Sequence, residues 1–261
     1  MKHPFETILI NTYRNPARLF ITDGGEIQSM EGTTQGDPLA MQFYGLSTKP
    51  ILEILRDETP DVSQVWLADD ATGAGKLQPL KQWWDGIKHQ GVKFGYFVKP
   101  SKSWLILKDS SKVKEAEELF KNSPINITVE GKRHLGAALG TEEFKNEYID
   151  DKVKDWCKNI VNLAKISKTE PHAAYAAFIH GEQHKYTYFL RTICDISENL
   201  IPLDDTISDI FIPALFGREI NEQEREVLSL PVREGGLGMK INSSRADISY
   251  QASSKVTIML I

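Results

Sequence analysis

Two adjacent carboxylates, Asp69 and Asp70, close the apolar run QVWLADD. Like unit charges ~4 Å apart repel by roughly 4 kcal/mol at an effective dielectric of 20, and a divalent cation between them offsets that repulsion. Oxygen-only ligands favour Mg²⁺ or Mn²⁺ over zinc. Neighbouring side chains on a regular strand face opposite sides, so one carboxylate serves a given site. A turn relaxes that rule and makes Asp69 the better ligand. An isolated Asp-Asp pair is far more often a solvated turn, so the case depends on its surroundings.

Upstream lies TTQGDPLA, with Asp37 placed 32 residues before Asp69. Gly36 frees the backbone, Asp37 suits a helix N-cap, and Pro38 suits the first helical position. A Gly-bearing loop leading into a capped helix presents N–H groups to a phosphate or sugar. Gln35 can both donate to and accept from a base or a backbone. Alone, this is an ordinary helix start. Downstream, residues 88–108 hold Lys88, Lys93, Lys99, Lys102 and Lys108 with no acidic residue, interleaved with Phe94, Tyr96, Phe97 and Trp104. Basic and aromatic residues together suit a phosphate backbone and stacked bases. Most of these aromatics are expected in the core, with Lys102 the functional candidate.

Two competing motifs fail. TGAGK ends in Gly75-Lys76, but a phosphate loop of the Walker type needs Gly at the position of Asp70 and Ser or Thr at that of Leu77. His180 and His184 share the spacing of a helix face. Gly181 follows the first histidine, however, where the zinc-protease pattern has Glu, and no third ligand is evident. Trp83-Trp84 reads as one core residue and one partly exposed one.

These residues need elements to place them. RLFIT and EIQSM around Asp23-Gly24-Gly25 predict a hairpin. A helix is predicted from Pro38 through Ile54, kinked at Pro50. QVWLADDATGAG reads as strand, tight turn and weak Gly-bearing strand, followed by a helix over 77–90. KFGYFVKPSKSWLILK predicts two short strands flanking Lys99-Pro100, and a helix spans about 111–122. ITVEGKRHLGAALG predicts a hairpin with Gly131 as its turn. Helical periodicity then dominates from about 141 to 228, interrupted at Pro171, Gly181, Pro202 and Pro213, before a Gly-rich close.

The order QGDPLA, ADD, KPSKSWLI, HLGAALG resembles the palm of reverse transcriptases, most like those of non-LTR retrotransposons. Glu31–Ala40 matches the loop-and-helix motif B, Leu67–Asp70 the hairpin motif C, Lys99–Trp104 motif D, and His134–Gly136 the primer grip. RTICDI and LPVREGGLGM resemble the thumb and the segment after it in the same elements. The resemblance implies an α+β fold: a partial palm sheet with packed helices over 1–140, then a mostly helical thumb-like region over 141–261. It implies RNA-templated DNA synthesis by two-metal nucleotidyl transfer, with Mg²⁺ or Mn²⁺ as cofactor and template-primer and dNTP as partners. By resemblance Asp69 is the principal metal ligand and Asp70 the accessory carboxylate. Gln35, Gly36, Asp37 and Pro38 would meet nucleotide and template. Lys102 would neutralise the leaving group, and His134, Leu135 and Gly136 would hold the primer.

The family's motif A, a strand ending in aspartate, should precede motif B. Residues 1–30 offer only Asp23, in a Gly-Gly turn. The expectation is a truncated chain without motif A and fingers, weak in Mg²⁺ binding and inactive alone. The alternative is a non-catalytic nucleic-acid-binding or protein-adaptor module. The formal net charge of −5 argues against a wholly basic surface but allows a basic groove. Cys157 and Cys194 form no CxxC, and the first residues do not read as a secretory signal. An intracellular setting, nuclear or cytoplasmic, is therefore expected, with no membrane span.

Overall fold

A computed structural model describes residues 6–30, 32–33 and 36–260. In chain order the elements are α1 (Glu6–Tyr13), β1 (Ala17–Phe20), β2 (Glu26–Ser29), α2 (Ala40–Glu58), β3 (Ser63–Leu67), β4 (Asp70–Ala74) and α3 (Leu77–Gly91). Next come β5 (Trp104–Ile106), α4 (Val113–Leu119), β6 (Asn126–Thr128), β7 (Gly131–His134), β8 (Ala137–Gly140) and α5 (Glu142–Ser167). The chain continues with α6 (Pro171–Ala177), α7 (Gln183–Thr192), α8 (Ile201–Thr206), α9 (Ile212–Phe216), α10 (Glu222–Ser229) and α11 (Asn242–Leu260). The fold is α+β, its strands paired in two-stranded sheets β1–β2, β3–β4, β5–β6 and β7–β8. No helix among the described residues is long and apolar enough to cross a membrane.

The chain divides into two compact units. The first comprises Met1–Ser103 and Lys114–Asn126, the second Trp104–Val113 and Ile127–Ile261. The β7–β8 hairpin, grouped by its sequence with the first half, thus belongs with the helices that come after it.

In the first unit, Ile51 and Leu55 of α2 meet Val62 and then Trp83 and Ile87 of α3, with Trp66 and Ala71 of the β3–β4 hairpin against them. Burying each of these large side chains contributes on the order of 1.5–3 kcal/mol. Gln64 fastens the hairpin to both helices. Its carbonyl accepts from Trp66 Nε1 at 3.0 Å and Trp83 Nε1 at 3.1 Å, and its amide donates to Leu52 O at 3.0 Å. The small residues of ATGAG have a packing reason. A Cβ on Gly73 would lie 2.8 Å from the Trp83 ring, so only glycine lets the indole rest on β4.

The second unit is built on α5. Thr141 caps it by accepting from Phe144 N. Ile149, Val153, Trp156, Ile160 and Ala164 form its buried stripe at helical spacing. Two π-helical turns, Phe178–Glu182 and Ile207–Phe211, interrupt the helices around it. Phe178 and Phe211, both fully buried, meet with ring centroids 5.1 Å apart.

Several local expectations change. Helix α2 starts at Ala40, after a turn in which the Asp37 carboxylate accepts from Leu39 N at 2.7 Å and the Asp37 carbonyl accepts from Ala40 N at 3.1 Å. Residues 92–98 contain no strand; a 3-10 turn, Val92–Phe94, occupies their start. Phe97 is 68% exposed, and Phe94 and Trp104 are exposed as well, so most of that aromatic group lies outside the core. Trp83 and Trp84 are both buried. Gly131 begins β7 instead of turning a hairpin. It faces Gly140 so closely that a Cβ on Gly140 would lie 2.4 Å from Gly131 Cα. The Gly-rich close leads into a further 19-residue helix, α11.

Candidate functional site

The register of β3 and β4 sets the carboxylates. Leu67 pairs with Asp70, which leaves Ala68 and Asp69 as a two-residue turn. Hairpin loops this short take turns with positive φ, normally supplied by Gly or Asn. Ala68 adopts φ +53° here. An L side chain in that region costs roughly 1–2 kcal/mol, and such strain persists where the surroundings over-determine it. Asp69 sits on the tip and Asp70 opens β4, and both are exposed.

The strut holding this tip is Tyr96. Its hydroxyl donates to Asp69 O at 2.8 Å, and its ring lies 5.1 Å from that of Trp66. Its N–H donates to Gly91 O at 2.9 Å. Burial pushes the Tyr96 phenol up to about 12, assisted by Tyr44, Asp69 and Asp70. Burial, followed by the charge of Asp69, also raises Tyr44.

The GDPL loop enters α2 through Asp37, whose carboxylate accepts from Tyr13 Oη and, at 2.7 Å, from Leu39 N. These bonds, Tyr13 foremost, hold Asp37 below the usual carboxylate range. Asp37 is thus tied into its own turn. Gly36, at φ +96°, and Pro38 are exposed, and a Cβ on Gly36 would meet nothing within 4 Å. Gln35 lies outside the described residues. Lys102 ends a 3-10 turn, Pro100–Lys102, and is exposed. Among the described residues no hydrogen bond or ion pair joins it to Asp69 or Asp70.

Asp69 and Asp70 are the acidic donors at this tip, and no group of three or more His, Cys, Asp or Glu among the described residues could hold a metal ion. Mg²⁺ takes near-octahedral oxygen coordination. Two adjacent carboxylates do not fit that requirement unaided. His180 and His184 are exposed.

The second unit presents a comparable turn. His134 pairs with Ala137, leaving Leu135 at φ +48° and Gly136 at φ +89°. Tyr188 Oη donates to Leu135 O, and Tyr148 Oη donates to Gly136 O at 2.7 Å. Nearby, Lys132 Nζ stands 3.9 Å from the Trp104 ring centroid, a cation–π contact.

Tyr96 stands among the aromatics interleaved with the lysines of 88–108, whereas Tyr148 and Tyr188 stand in no motif. Tyr148 and Tyr188 lie 12 and 53 residues from the carbonyls they bind. No local pattern signals such a pairing. No protein-family model matches the chain, and no curated protein matches it significantly.

Proposed function

We propose that the chain is a reverse-transcriptase-like domain of non-LTR retrotransposon type that binds template-primer nucleic acid. The observation that carries this reading is the Ala68–Asp69 turn. It displays two carboxylates at a hairpin tip whose backbone the Tyr96 hydroxyl holds at 2.8 Å. The order of the four motif segments along the chain supports it. In this reading Asp69 supplies one ligand to Mg²⁺ or Mn²⁺ and Asp70 is accessory. The QGDP loop meets nucleotide and template, Lys102 neutralises leaving phosphate charge, and the His134–Gly136 turn holds the primer strand.

The described carboxylates leave such a cation short of oxygen ligands. The chain alone is therefore expected to bind template-primer without extending it. Fluorescence anisotropy with a labelled RNA–DNA hybrid should show affinity that falls steeply with salt, because phosphate contacts release counterions. Salt-insensitive binding, or none, would overturn the reading. Mg²⁺-dependent primer extension that disappears in Asp69→Ala would keep the family reading and overturn the expected inactivity.

A second reading, a protein-adaptor module, draws on β3. Gln64 and Trp66 turn inward, while Val65 and Leu67 remain 63% and 56% exposed. An apolar row of this kind suits a partner surface. A Val65→Lys variant that loses hybrid affinity would disfavour it, since added positive charge should not weaken phosphate binding.

A further inference from the structure

We propose that Tyr148 and Tyr188 are positioning residues: their hydroxyls clamp the Leu135–Gly136 turn in its left-handed form and so present Leu135 outward. The inference rests on the reading of this turn as a nucleic-acid contact. Both turn residues have positive φ, the backbone of a hairpin turn that favours Asn-Gly. Leucine fits it poorly. Core packing does not explain its presence, because Leu135 is 43% exposed.

Two phenols converge on the two carbonyls of this turn. Tyr148 comes from α5 and donates to Gly136 O at 2.7 Å, and Tyr188 comes from α7 and donates to Leu135 O. Phe189 packs against both rings, at 6.2 Å from Tyr148 and 5.5 Å from Tyr188. A Cβ on Gly136 would lie 3.3 Å from the Tyr188 ring, so the turn seats directly on that phenol. Water could satisfy carbonyls at an exposed tip. Side chains fixed on two separate helices do more: they select one backbone conformation. Exposed Arg133 on β7 adds positive charge beside the turn, and its charge is felt at the Tyr148 phenol. A clamped apolar tip beside a cation suits a sugar-phosphate strand, with the leucine against sugar or base and the arginine against phosphate.

The test compares the full chain with Tyr148→Phe, Tyr188→Phe and the double variant, each made with and without Leu135→Asn. The Leu135 backbone is read by its amide–Hα coupling in NMR, and affinity by anisotropy with a labelled RNA–DNA hybrid at fixed low salt. In the double Phe variant the coupling should leave the left-handed range, and hybrid affinity should fall roughly five- to ten-fold, about one net hydrogen bond. Leu135→Asn should restore the coupling, because asparagine tolerates that φ without the clamp. An unchanged coupling in the double variant would overturn the proposal. So would a coupling that changes while Leu135→Asn fails to restore it. A wild-type chain that binds no hybrid overturns the functional reading alone, and the NMR comparison still decides the clamp.

Discussion

The hydroxyl of Tyr96 donates to the main-chain carbonyl of Asp69 at 2.8 Å, across 27 residues of sequence. The bond joins the segment after α3 to the tip of the β3–β4 hairpin, where Ala68 holds a positive φ. Tyr96 is itself fixed, since Trp66 covers its ring and a Cβ on Gly91 would lie 2.6 Å from its carbonyl. The placement of the two carboxylates thus depends on a phenol in a segment with no strand of its own.

Tyr96→Phe should keep the ring packing and lose the bond to the turn. Stability should fall by about 1 kcal/mol in urea unfolding, with faster amide exchange in β4. The alkaline limb gives a second readout. The folded phenol titrates at about 12 against an ordinary value of 10.0. From pH 10 upward the unfolded chain therefore releases this proton first, and stability falls until the folded pKa is reached. Below pH 10 the phenol is neutral in both states and contributes no slope. The Phe variant should show a shallower alkaline decline, and an identical slope would count against the assignment.

Two glycines separate packing from propensity. Gly73→Ala places a Cβ 2.8 Å from the Trp83 ring, so the indole or the strand must move. A loss of about 1–3 kcal/mol is expected, as for other overpacked positions. Gly45 lies exposed within α2 with nothing within 4 Å of its Cβ. Gly45→Ala should gain about 0.5–1 kcal/mol from the lower entropy of the unfolded chain. Thermal melts of the pair should shift in opposite directions.

The β3–β4 hairpin and its carboxylate turn were legible because an apolar strand, a two-residue turn and small residues stand in immediate succession. The helical character of α5 was legible from its periodicity. Helix α11 was not, because the group that starts it lies elsewhere. Asp204 of α8 accepts from Asn242 N at 2.9 Å and Ser243 N at 2.8 Å, capping the helix from 38 residues away. The Leu135 turn was missed for a similar reason. Glycine at 131 serves the close approach to Gly140, not a turn, and the tyrosines that stabilise the strained leucine are remote. Asp37 was legible as a helix-start residue, but its bond to Tyr13 was not.

The remote cap makes a prediction about α11. Asp204→Ala removes acceptors from Asn242 N, Asn242 Nδ2 and Ser243 N, leaving buried donors without partners. A loss of about 2–4 kcal/mol is expected. It should be concentrated in α11, with amide exchange there rising before that of α5. Arg225, which donates to Met239 O at 2.7 Å and Lys240 O at 3.2 Å, holds the same junction. Arg225→Met should therefore loosen the same helix, and uniform exchange across both helices would refute this local account.

Helix α10 offers a test in acid. Asn221 and Glu224 form a capping box in which Asn221 accepts from Glu224 N at 2.9 Å and Glu224 accepts from Asn221 N at 3.0 Å. Arg218 also grips the Glu224 carboxylate, and together, Arg218 foremost, they lower its pKa from 4.5 to about 2. A carboxylate depressed in the folded state contributes stability that is fully present above pH 4.5. As pH falls below that value the unfolded chain takes up this proton first, and the contribution is gone once pH passes about 2. Glu224→Gln keeps an acceptor for Asn221 N but loses the charge, so α10 should lose its dependence on pH across that window. Amide exchange in α10 at pH 5 and pH 3 measures it. The wild-type helix should be less protected at pH 3 once intrinsic exchange rates are divided out, and the variant should be equally protected at both.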